Sequence, residues 1–208
     1  DGGLWLNTQR PEWNDANNAL VGQGLSMVTL CYLNRYLVFL KQTILANADT
    51  HGFAVTSEVA TWLIKTTEIL SQTAETLEQG ALNEQQSFSV LQQLGELASH
   101  YRRTMYTHDE SFNKTELSID QINALIDPAL KIVEHSIKAN FADTGLYHAY
   151  NVLHLESDAL NIGHLYSMLE GQVAVLSSGA LSSDASAQVI GKLFDSYMYR
   201  PDQHPFLL

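Results

Sequence analysis

The chain is short of cysteine, of basic residues and of long apolar runs, and each shortage excludes something. Its one cysteine, Cys31, rules out a disulfide framework within the chain. Flanked by Leu30, Tyr32 and Leu33, that thiol reads as a packed core group and not as a nucleophile. Lys and Arg number 11 against 23 Asp and Glu, for a net charge of −12, and Arg102-Arg103 is the only basic doublet. Phosphate backbones are held by clustered Lys and Arg, so no nucleic-acid partner is expected. A neutral or cationic ligand suits this charge better, although one Arg could still hold a small phosphate. No apolar run approaches the ~18 residues of a membrane span, so no membrane partner is expected. No signal-peptide pattern stands at the N-terminus, which carries no information about export because the chain reads as a piece of a longer one; among locations, a cytoplasmic one is favoured. Neither HExxH nor CxxC occurs, which leaves a zinc site, or any metal site, without support. Gly22-Gln23-Gly24 lacks the third glycine of a dinucleotide loop, and Gly24-Leu25-Ser26 lacks the last glycine of a nucleophile elbow.

What is present is helical periodicity. Apolar residues recur at three-four spacing and predict six helices, over about 15–46, 57–78, 83–106, from 118 through 137, 158–176 and 183–197. Ser118-Ile119-Asp120-Gln121 is a capping box that opens the fourth, Pro128 is a candidate kink within it, and Gly80 ends the second. No β-hairpin signal is read, so the expected fold class is all-α, built of antiparallel helical hairpins. With short connections, parity brings the segment before the first helix, the loop at 141–157 and the stretch at 199–206 to one end. Trp13, Asp15, Tyr150 and Gln203 are therefore expected to border one concavity.

The densest chemistry on that face is Arg10-Pro11-Glu12-Trp13-Asn14-Asp15-Ala16-Asn17-Asn18. Sugar chemistry needs carboxyl groups to move protons, an aromatic plane to stack on a pyranose, and amides to orient hydroxyls. All three are here within nine residues. The same segment also fits a helix entry, in which Asn14 or Asp15 caps orphan backbone N–H groups. A cap needs one residue, however, and gives no reason for Glu12, Trp13, Asn17 and Asn18.

Glu12-Trp13-Asn14-Asp15-Ala16 resembles the Asp-Trp-Asn-Asp-Gly motif of the cellobiose and chitobiose phosphorylase family, within the six-hairpin glycosidase superfamily. The resemblance spans about a dozen residues. It departs from the family pattern at Glu12 and Ala16, and no match to the family's other phosphate-contacting segments is found. The resemblance implies an (α/α)6 toroid, of which 208 residues would supply about half, because twelve helices of about 15 residues plus loops need roughly twice that length. The chain then reads as a single helical domain, a fragment of a larger catalytic domain that would be inactive alone and partnered by the remainder of its own polypeptide. By the resemblance, Asp15 is the general acid of an inverting mechanism, with Glu12 in reserve because an Asp at a helix N-terminus is favoured as an anion.

Candidate substrate contacts are Trp5, Arg10, Trp13, Asn14, Asn18, Tyr147, His148, Tyr150, Asn151, Arg200, Asp202 and Gln203. Several have structural alternatives: Tyr147 and Tyr150 as loop packing, His154 as a structural histidine, Arg200 with Asp202 as a surface ion pair. The expected substrate is an oligosaccharide or small glycoside. No cofactor is expected, and inorganic phosphate would be a co-substrate if the bond is phosphorolysed. Two other readings stand beside this one: a non-catalytic helical interaction domain, and a lyase acting on uronate polymers.

Overall fold

The computed structural model describes residues 2–5, 20–49, 51–107 and 113–206, which form two compact units. Unit 1 comprises 1–36, 133–156 and 160–208, and unit 2 comprises 37–132 and 157–159. The fold is mixed α/β, which overturns the all-α expectation and with it the half-toroid. Six strands form a four-stranded and a two-stranded sheet beside the helices.

In unit 1, β1 (Leu4–Trp5), β2 (Gly24–Ser26), β5 (Tyr150–Leu155) and β6 (Leu160–His164) make an antiparallel sheet in the order β1-β2-β5-β6. The register aligns Trp5 with Leu25, Leu25 with Asn151 and Asn151 with His164, so these four side chains share one sheet face. Sequence periodicity misread two of these strands as helix. These are β2 and β6, whereas β5 falls in the expected loop at 141–157; all three residues of β2 are buried, so it shows no exposed–buried alternation. Residues 158–176, expected as one helix, instead divide between β6 and the helix α5 (Leu169–Ser177). Glu156 and Asp158 lie in the β5–β6 connection.

Helix α1 (Met27–Phe39) starts directly from β2, where Ser26 Oγ accepts from Thr29 N at 3.0 Å. It runs on into a π-helical turn at Leu40–Ile44 and a 3-10 turn at Leu45–Asn47. Its buried Met27, Leu30 and Cys31 meet Val133 and Ile137 of α4 (Ile119–Ala139), Val175 of α5 and Val189 and Leu193 of α6 (Ser183–Phe194) in the main core. Each such side chain contributes about 1.5–3 kcal/mol through burial. Cys31 is a core thiol whose pKa is pushed up to about 12 by that burial. A thiol so protonated at neutral pH is no nucleophile.

Unit 2 is a helical hairpin closed by a β-ribbon. β3 (Gly52–Thr56) pairs antiparallel with β4 (Lys114–Ser118), and between them run α2 (Ser57–Gln79) and α3 (Glu84–Thr107). These two helices lie within a residue of the ranges expected from periodicity, because local chemistry fixes their ends. Thr56 Oγ1 caps α2 by accepting from Val59 N at 3.4 Å, and Gly80 ends it with φ 149°, a left-handed conformation natural to glycine. Asn83 and Gln86 form a reciprocal capping box at the start of α3, with bonds of 2.9 and 2.8 Å. Ser118 and Gln121 do the same for α4 at 2.9 and 3.1 Å, as their spacing predicts. Pro128 lies inside α4, which continues through it.

Candidate functional site

Glu12, Trp13, Asn14, Asp15, Asn18 and Arg10 lie outside the described residues. The residues that flank them do not. Trp5 Nε1 donates to Gly22 O at 3.0 Å, which ties the strand before this segment to the turn after it. Leu20, 2 % exposed, packs with Ala149, Tyr150 and Met168. The described residues on either side of the segment that carries the carboxylates thus belong to unit 1, Trp5 on the edge strand β1 and Leu20 packed against Ala149 and Tyr150.

At the far edge of that sheet stands a polar network that begins in the core. Asn140 Nδ2 donates to Ser136 O at 2.8 Å, and Asn140 Oδ1 accepts from Asn151 Nδ2 at 2.7 Å. Asn151 Nδ2 also donates to Gly2 O at 2.8 Å, so Asn151 Oδ1 is left to accept from His164 Nδ1 at 2.7 Å. Asn151 is fully buried. His164 therefore carries its proton on Nδ1 and keeps a lone pair on Nε2. His148 is fixed the same way, because the partner of its Nδ1 is the carbonyl of Leu165 at 3.1 Å, and a carbonyl only accepts. The two imidazoles stack, with centroids 4.2 Å apart and planes at 10°. With Nδ1 of each ring directed to an oxygen acceptor, Nε2 is the ring nitrogen left in each imidazole for a further hydrogen bond or for proton exchange.

Burial, and after it the nearby His148, hold the pKa of His164 below the ordinary histidine value. A folded pKa below the unfolded one means that the unfolded chain takes up the proton first. Stability is then lost as pH falls through about 6.5, the unfolded value. Urea denaturation at pH 7.5 and 5.5 should show a smaller acid loss in His164→Asn than in the native chain; an equal loss in both would detach the titration from His164.

The other expected contacts fall in several environments. Tyr147 and Tyr150 are 8 % and 2 % exposed and belong to the core, where Tyr147 meets Phe141 at a centroid distance of 5.0 Å. Arg200 is engaged by Asp202 through Nε and a terminal nitrogen, both at 3.2 Å. Gln203 sits exposed in the adjoining turn, and Trp5 is 38 % exposed at the opposite edge of the sheet from His164. Among the described residues, Asn151 and His148 are the expected contacts that join the imidazole network. His164, its third member, was not among them. The signal that could have found it is the pairing of 150–155 with 160–164, which sets His164 opposite Asn151. His154 is exposed on the other face of the hairpin. Among the described residues no group of three or more His, Cys, Asp or Glu could hold a metal ion, and no helix is long and apolar enough to cross a membrane. Comparison with protein-family models gave no match for this chain, and comparison with curated proteins gave none either.

Proposed function

We propose that this chain carries the acid end of a carbohydrate-active site, which cleaves a glycosidic bond of an oligosaccharide or small glycoside with inversion. What supports the reading is that Trp5 and Leu20, which flank the segment with Glu12, Trp13 and Asp15 in the sequence, belong to the same unit as Asn151, His148 and His164. A protonated Asp15 delivers its proton to the glycosidic oxygen, and water or inorganic phosphate attacks the anomeric carbon from the opposite side. Glu12 takes the acid role if Asp15 is held as an anion. The imidazole Nε2 atoms accept hydrogen bonds from sugar hydroxyls, and Trp13 offers a stacking plane. The reading rests on these residues and not on a toroid.

The test is to incubate the intact protein that contains this chain with a panel of disaccharides, with and without phosphate, and to follow the anomeric configuration of the first-formed product by NMR. Product of inverted configuration is expected. Retained configuration would remove the inverting mechanism, and no cleavage of any glycoside together with no sugar binding would leave the non-catalytic interaction domain as the reading.

A further inference from the structure

Unit 2 holds a cavity of about 230 Å³ where α2 begins and α3 ends. Leu97, Tyr101 and Thr104 recur at four and three residues along α3, so one face of that helix lines it with all three. Thr61 and Trp62 line it from α2, and the Trp62 and Tyr101 ring centroids lie 6.0 Å apart at 43°. The polar groups are of both kinds. Thr61 Oγ1 donates to Ser57 O at 2.8 Å and Thr104 Oγ1 donates to His100 O at 3.0 Å, so both hydroxyls meet a ligand as acceptors. The Trp62 indole N–H and the Tyr101 hydroxyl make no hydrogen bond to another described residue and are left to donate. His100, which is exposed, has one ring nitrogen of each kind when neutral.

A charged ligand finds no counterpart here. Among the described residues no Lys or Arg lines the cavity to hold an anion, and Glu58 in its wall would repel one. A cation gains little either, because Glu58 Oε1 takes the Ser57 hydroxyl at 3.3 Å and Glu58 Oε2 is closed off from solvent. A purely apolar ligand would displace water and leave these donors and acceptors unmet. The complement is a neutral molecule whose hydroxyls both donate and accept and whose C–H face lies on an aromatic ring. A pyranose has both. The volume lies below the ~300–1,000 Å³ of drug-sized sites, which limits the ligand to one sugar ring.

We propose that this cavity binds a single neutral pyranose, with its C–H face against the Trp62 and Tyr101 rings and its hydroxyls on Thr61, His100 and Thr104. The site uses no residue of the carbohydrate reading above and does not rest on it.

The test is a titration of the intact protein that contains this chain with the methyl pyranosides of glucose, galactose and mannose, with cyclohexanol as the ring that carries one hydroxyl. The readout is the NMR signal of the Trp62 indole N–H, assigned with Trp62→Phe. A saturable shift with at least one pyranoside is expected, with cyclohexanol binding at least about tenfold more weakly. Thr104→Val keeps the shape of the side chain, removes its hydroxyl and should weaken that pyranoside by at least about tenfold. Where circular dichroism shows that Thr104→Val does not fold, Thr61→Val takes its place with the same expected loss. No saturable shift with any of the three pyranosides, equal or tighter binding of cyclohexanol, or undiminished pyranoside binding in the folded variant would each overturn the proposal.

Discussion

Asp15→Asn should remove most of kcat, by at least about 10²-fold, the usual scale for a positioned proton-transfer residue. The same change should leave stability within about 1 kcal/mol, since Asn caps a helix as well as Asp does. Asp15→Ala separates the two roles by magnitude. If the residue only caps, Ala costs about 0.5–2 kcal/mol of stability and has little effect on turnover beyond that. If it is the acid, both variants lose turnover together. An aryl glycoside with an acidic leaving group needs less protonation and should partly rescue Asp15→Asn, provided the enzyme accepts it. The measurements are kcat on an unactivated and an activated glycoside, with a denaturation curve for each variant. Near-native turnover of the unactivated sugar by Asp15→Asn would pass the role to Glu12 or to a group outside this chain.

The largest stability effect is expected at Gln172, a fully buried amide in α5. Its Oε1 accepts from Tyr147 N at 2.8 Å, while Nε2 donates to Tyr147 O at 2.7 Å and to Met168 O at 3.0 Å. One side chain thus satisfies both backbone groups of a residue in the irregular stretch between α4 and β5. Gln172→Met keeps the volume and removes all three bonds. Each buried backbone group left unsatisfied costs about 1–3 kcal/mol, for a total loss of roughly 3–5 kcal/mol. That is a large share of the ~5–15 kcal/mol that holds a typical domain folded. Gln188→Met, at an exposed position on α6, should change stability by less than about 0.5 kcal/mol. Urea denaturation of the two variants is the measurement, and similar midpoints would show that Tyr147 finds other partners.

Gln172 and Asn151 also mark where sequence reading stops. An amide in an apolar helix gives no sign, by spacing or by neighbours, that it clamps the backbone of a residue 25 positions away. As a polar residue among aromatics, Asn151 is legible in the sequence as a candidate ligand contact. Its bonds to Gly2, Asn140 and His164 instead make it a core junction. The type of Tyr150 is compatible with a stacking plane and with packing alike, and its neighbours Leu20, Ala149 and Met168 bury it.

Wherever a few adjacent residues decide the outcome, the sequence alone determined it. The extent of α2 and α3, the capping boxes at Asn83 and Ser118, the end at Gly80 and the packed state of Cys31 all follow from contacts within one or two helical turns or from side-chain type. The strands, the two units and the imidazole pair were decided by tertiary structure. β3 and β4 are separated by a whole helical hairpin, and β2 meets β5 across more than 120 residues. Such pairings form because backbone donors and acceptors of distant segments must be satisfied once both are buried, and that condition exists only when the chain has folded.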